Sequence, residues 1–138
     1  MHLKGSCACG RVTFNVDGEP IIQLYCHCRS CQLAHAAPLI AGAIFPARSV
    51  TYQGEARMVT VTGHADAARR LTCTNCGTRI LNEPTPQFRA IFPALCETAD
   101  WFKPQFHVQW QDHVLDVQDD LPKFLDFPQP MGGTGSMV

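Results

Sequence analysis

Cys73-Thr74-Asn75-Cys76-Gly77 is a C-x-x-C-G knuckle, and a counterpart, Cys7-Ala8-Cys9-Gly10, stands more than sixty residues before it. Thiolates two or three residues apart suit one shared ion, because tetrahedral zinc with bonds of about 2.3 Å needs sulfurs roughly 3.8 Å apart. Extended residues at i and i+2 point to one side, and a C-x-x-C turn curls two sulfurs around one point. Pairing the two clusters closes a four-thiolate structural site and ties the amino-terminal strand to the middle of the chain. Each cluster is followed directly by glycine, Gly10 or Gly77. Glycine there allows positive φ, which turns backbone N–H groups toward the sulfurs. Apparent zinc affinities of ~10–16 kcal/mol in small proteins match a domain's whole net stability, so this pairing decides the fold.

A third cluster, Cys26-His27-Cys28-Arg29-Ser30-Cys31, brings the clustered cysteines to seven of the eight. Seven thiolates divide into four plus three, and three protein ligands with a vacant corner is how a reactive zinc is held. An open position takes water or a soft exogenous thiol, which the metal holds as thiolate at neutral pH. Beside an aldehyde that thiolate adds to the carbonyl carbon, while zinc or an N–H donor stabilises the developing oxyanion. C–S cleavage is the reverse. The other reading of these three thiols is a second folding zinc, or a weakly loaded site easily oxidised. In an extended segment His27 points away from Cys26 and Cys28, which makes it a support for the ligands rather than a ligand. His35 lies one turn beyond Cys31, where it either reaches the metal or substrate or sits on the helix surface. Cys96, in the apolar run Phe92-Pro93-Ala94-Leu95-Cys96, either completes the three-thiolate site or packs in the core.

At 138 residues, 46% hydrophobic and 17% charged, the chain suits one globular domain over 1–130. The run 131–138 is small and glycine-rich and reads as a flexible tail. Lys plus Arg (11) nearly balances Asp plus Glu (12), which gives no electrostatic footprint for nucleic acid or a membrane surface. No apolar run approaches the ~18 residues of a membrane span, and the opening lacks the apolar core of a secretory signal. Eight cysteines in 138 residues fall below the density of disulfide scaffolds, and C-x-C partners are poorly disposed to bridge each other. Metal binding in a reducing cytoplasm is the expectation.

Alternation of apolar and polar residues marks a half-buried strand over 11–16, turned by Asp17-Gly18. Further strands are expected over 21–25, 39–45, 50–54, 58–62, 69–73, 78–82, 89–92 and 106–110. A short helix is expected over 29–35, ended by Pro38. Recurring short strands with one helix indicate a mainly antiparallel β fold.

In these three ordered cysteine motifs, from Gly5-Ser6-Cys7-Ala8-Cys9-Gly10 to Cys73-Thr74-Asn75-Cys76-Gly77-Thr78, the chain resembles the glutathione-dependent formaldehyde-activating enzyme family. That family includes the centromere protein V-like domains. Asp119-Asp120-Leu121-Pro122-Lys123-Phe124 is similar to its closing acidic-Leu-Pro-aromatic segment. The resemblance implies an antiparallel β-tent zinc fold and two zinc ions per chain, a structural one on Cys7, Cys9, Cys73 and Cys76 and a catalytic one on Cys26, Cys28 and Cys31. It implies S-hydroxymethylglutathione synthesis from formaldehyde and glutathione, a carbon–sulfur lyase activity, with a small-molecule thiol and an aldehyde as partners. The stretch Ile91-Phe92-Pro93-Ala94-Leu95-Cys96-Glu97 departs from the glycine-leucine-aspartate character frequent in the family at this place.

Cys26, Cys28, Cys31 and His27 are therefore the candidate catalytic residues. Arg29, beside them, is the candidate for the negatively charged thiol substrate, with Arg48, Arg79 and Arg89 as further cations. The competing function is a zinc-scaffolded binding module, for which Trp101, Phe102, Phe106 and Trp110 would supply an exposed aromatic patch or, in the blander reading, core packing.

Overall fold

A computed structural model describes residues 1–61 and 68–138. Ten strands and one helix are present among the described residues: β1 (His2–Ser6), β2 (Thr13–Asp17), β3 (Ile22–Cys26), α1 (Arg29–His35), β4 (Ile40–Pro46), β5 (Val50–Gln53), β6 (Ala56–Val59), β7 (Arg69–Cys73), β8 (Arg79–Thr85), β9 (Phe88–Ile91) and β10 (Phe106–Val108). They form a three-stranded sheet, β1-β2-β5, and a seven-stranded sheet, β10-β3-β4-β9-β8-β7-β6. The mainly β architecture with one short helix follows the sequence expectation, and α1 spans the expected residues.

Alternation does most of this work. In β2, Thr13, Asn15 and Asp17 are exposed while Phe14 and Val16 are buried. The small sheet lays Leu3, Phe14, Val16 and Val50 into one core with Ala43, Phe45, Leu71, Leu81 and Ile91 of the large sheet. Leu71, Leu81, Ile91 and Ala43 are direct cross-strand partners. One residue over, Arg70, Asn82, Ala90 and Ile44 form the neighbouring rung. Period-2 geometry turns that rung to the opposite face, so one side of the large sheet is apolar and the other carries buried Arg70 and Asn82.

Three features differ from the sequence expectations. The first strand, β1, was not anticipated, because His2-Leu3-Lys4-Gly5-Ser6 has a single large apolar residue. Gly5 is there for space, since a side chain would overlap the Phe14 ring and the Leu95 carbonyl. Strand β6 begins two residues earlier than 58–62, and position 62 lies outside the described residues. The pairing of β10 with β3 is parallel, an exception in an otherwise antiparallel arrangement. The segment 131–138 makes hydrogen bonds to the body of the chain. Val138 N donates to Lys123 O (3.0 Å) and Leu125 N to Ser136 O (2.8 Å), while the Thr134 hydroxyl donates to Asp126 Oδ1 (2.8 Å).

Candidate metal centres

The amino-terminal turn and the β7–β8 turn meet at one point. The sulfurs of Cys7, Cys9, Cys73 and Cys76 all lie within 4.8 Å of one another. The Cys7–Cys9 separation is 3.6 Å and the Cys9–Cys73 separation 3.8 Å, close to the edge of a tetrahedral zinc–sulfur site. Gly10 and Gly77 both adopt φ +78°, the left-handed conformation that lets the chain double back over its sulfurs. Val12 N then donates to Cys7 Sγ (3.3 Å) and Cys76 N to Cys73 Sγ (3.5 Å). The Thr78 hydroxyl accepts from Ala8 N (3.1 Å) and donates to Cys76 Sγ (3.1 Å), linking the two turns. That bond lowers the Cys76 thiol to about 5, and the Asn75 side chain lowers Cys9.

The second cluster is built locally. Strand β3 ends on Cys26, extended Cys28 caps α1, and Cys31 sits on its first turn. One extended step and one helical turn bring the three sulfurs within 4.8 Å of one another. Cys31 N donates to Cys28 Sγ at 3.3 Å, and the Ser30 hydroxyl lies 3.4 Å from the same sulfur. Hydrogen bonds from Cys26 and Cys31 push the Cys28 thiol down to about 2. Cys26 is pushed well up, first by the neighbouring Cys28 sulfur. For Cys31 the contact with Cys26 pulls down, but Cys28 and burial outweigh it and raise the thiol to about 12. Three thiolates so close require a cation among them, and the donor set fits a soft divalent ion.

The structure turns His27 away from these sulfurs. Parallel pairing sets His107 opposite Tyr25, so His107 shares a face with Tyr25 and His27 while Cys26 and Cys28 take the other. His27 Nε2 is 2.8 Å from His107 Nδ1, and His107 Nε2 is 2.8 Å from Asp119 Oδ2. Both rings are 0% exposed. Burial, then the neighbouring His107 and His113, lower His27 to about 4. Burial raises the carboxyl of Asp119, but hydrogen bonds from Lys123 and His107 prevail and hold it at about 2.

Arg29 is exposed, its guanidinium donating to Gln32 Oε1 (3.2 Å) and its backbone N–H to Asp112 Oδ2 (3.3 Å). Arg79 donates to Ala34 O and Thr72 Oγ1, and Arg89 to Val50 O and Glu83. The cation that meets the three-thiolate cluster is Arg70, 1% exposed, with Nη2 3.5 Å from Cys31 Sγ. Arg70 was not among the cations expected from the sequence. The signal was present, because alternation in Arg70-Leu71-Thr72-Cys73 sets Arg70 and Thr72 opposite the core-facing Leu71 and Cys73. His35 is half-buried, its Nε2 enclosed without a hydrogen-bond partner. Burial, then Arg70 and Arg79, lower it to about 4, so it is neutral at pH 7. Asn82 Oδ1, from the same rung as Arg70, is enclosed and unpartnered as well.

Cys96 joins neither cluster. It bridges to Gly5 in the ladder, packs on the core and directs Sγ toward Phe92 O (3.7 Å). The four aromatics pack internally. Trp101 meets Phe45 and Phe102, Phe106 meets Phe124, and Trp110 is buried against His27. No helix among the described residues is long and apolar enough to cross a membrane.

Geometry defines a mainly β protein with two thiol clusters, each compatible with a bound metal ion. Residues 2–112 match the glutathione-dependent formaldehyde-activating enzyme family, and the chain belongs to it. A crystal structure of a Rhodobacter sphaeroides protein, 18% identical in sequence, superposes with a TM-score of 0.54 over 68% of this chain and 87% of that one, a likeness of fold alone. No curated protein sequence matches the chain.

Proposed function

We propose that the protein is a zinc-dependent carbon–sulfur lyase that adds a glutathione-type thiol reversibly to formaldehyde or a related carbonyl. In this reading Cys7, Cys9, Cys73 and Cys76 hold a structural zinc and Cys26, Cys28 and Cys31 a catalytic one. The two sheets then correspond to the tent-like arrangement of the family, working in a reducing cytoplasm on small molecules rather than on nucleic acid or membrane. The observation that carries it is the three-sulfur cluster, which no fourth cysteine completes among the described residues. Cys26, Cys28 and Cys31 would hold the zinc ion, which would supply a site for a soft ligand and favour the thiolate form of a thiol at neutral pH.

The rest belongs to the chain. In the forward reaction the thiol gives up its proton, its sulfur bonds to the carbonyl carbon, the C=O π pair moves to oxygen, and oxygen takes up a proton, so that none is gained or lost overall. Arg70 fixes Cys31 from beneath. Neutral His35, one turn from Cys31, has an Nε2 without a partner, and in the Nε2–H tautomer that nitrogen is a donor of the kind that stabilises a developing oxyanion. Exposed Arg29 offers a cation to the carboxylates of the thiol. Formaldehyde adds thiolates readily by itself, so a slower C–S bond is where such a site has more to contribute.

Zinc counting with a thiol panel, followed by loss of aldehyde, tests this. Two zincs per chain are expected, with Cys28→Ser losing one zinc and the turnover while remaining folded. Undiminished turnover in Cys28→Ser rejects the assignment.

A further inference from the structure

One polar chain inside the molecule is used by no step above. It runs from Lys123 through Asp119 and His107 to His27, with separations of 2.9, 2.8 and 2.8 Å, and ends between two candidate metal ligands. We propose that Asp119 and His107 are positioning residues for the three-thiolate centre: they fix the tautomer and the orientation of His27, and through it the spacing of Cys26 and Cys28. The inference rests on reading those cysteines as metal ligands.

Hydrogen-bond directions follow from the end of the chain. Ionised Asp119 only accepts, so His107 Nε2 carries the proton between them. A neutral His107 then presents a lone pair at Nδ1, and His27 must donate to it from Nε2. His27 Nδ1 is left as an acceptor, and it is the buried ring nitrogen without a partner. The alternative, a doubly protonated His107 facing a His27 protonated on Nδ1, would bury a cation and leave an orphaned N–H donor. An unfilled lone pair is the cheaper of the two.

The mechanical consequence is local. His27 is held at three points: N donates to Val108 O (3.1 Å), O accepts from Gln32 Nε2 (2.7 Å), and Nε2 donates to His107. Trp110 closes against the ring edge-on, 4.8 Å between centroids. With the backbone on either side of His27 pinned, Cys26 and Cys28 are held toward the opposite face. The sulfurs of the four-thiolate cluster instead take hydrogen bonds from Val12 N, Cys76 N and the Thr78 hydroxyl. Outer partners of metal ligands commonly change metal affinity 10–100-fold when removed.

The test measures zinc affinity at each centre by chelator competition, with the cobalt(II) spectrum of each as a second readout. Asp119→Ala is expected to weaken the three-thiolate centre by about 10–100-fold and shift its cobalt bands, with the four-thiolate centre unchanged. Asp119→Asn, whose amide oxygen still accepts from His107, should restore most of the affinity. Equal weakening at both centres, or no change at either, overturns the proposal. Nitrogen-15 spectra of the unsubstituted protein read the tautomers without any variant and without metal. His27 protonated on Nε2 supports the chain, and protonation on Nδ1 overturns it. A wild-type protein that binds one zinc would sink the ligand assignment, whereas two zincs with the second indifferent to Asp119 would sink this inference alone.

Discussion

The two thiol clusters differ in how far the chain travels to build them. Cys7 and Cys9 meet Cys73 and Cys76 across more than sixty residues, and both turns use a glycine at φ +78°. Cys26, Cys28 and Cys31 lie within six residues and use the start of α1 in place of glycine. A crosslink between distant segments constrains the unfolded chain and holds two sheets in register; one within six residues constrains almost nothing. On the proposed reading the first cluster stabilises the fold and the second is free to be reactive. Polar surroundings follow the same division. Backbone N–H groups and Thr78 serve the first, while Arg70, His35 and the buried histidines gather around the second.

The sharpest way to break the comparison is to remove one sulfur from each cluster. Cys73→Ser should cost more than about 5 kcal/mol, comparable with the stability of a whole domain, and leave the chain unfolded by circular dichroism. Cys31→Ser should leave a cooperative unfolding transition in place, yet lower turnover by at least ~100-fold, since metal stabilisation of a transition state is worth several kcal/mol. Equal loss of structure in both variants would erase the distinction.

A smaller effect separates the surroundings. His35 is held at about 4 against an ordinary 6.5, so between those values the unfolded chain binds a proton that the folded chain refuses. Its contribution is complete above pH 6.5 and is lost as pH falls toward 4. His35→Gln should flatten the stability–pH slope over that interval by about 1–2 kcal/mol, the partial exposure of the ring keeping it below the fully buried case. Identical slopes for the two proteins, followed by denaturant melts, would contradict this. An effect no larger than that belongs to the glycines. Nothing lies within 4 Å of a Cβ built on Gly10 or Gly77, so Gly10→Ala and Gly77→Ala should each cost only the left-handed backbone term, about 1–2 kcal/mol in chemical melts.

Much of this division was legible in the sequence because cysteine spacing and strand alternation are local signals. The helix over 29–35 and the two sulfur clusters needed no long-range information once the knuckles were paired. The orientation of His27 followed from its place between two ligands in an extended segment. What lay out of reach depended on register. His107 meets His27 only because β10 pairs parallel to β3, and Asp119 arrives through a bridge between His107 and Lys123. Neither pairing leaves a mark in Phe106-His107-Val108 itself. Strand β1 was missed because Gly5 is selected by the Phe14 ring above it, and a glycine in a strand reads as a break until its neighbour is known.

The central claim is that one centre is closed by the polypeptide and the other has room for an incoming sulfur. Cobalt substitution followed by titration with glutathione addresses it directly. The account predicts two cobalt centres, one whose sulfur-to-metal bands shift as thiol is added and one that stays constant. Two centres that both ignore the thiol would contradict it.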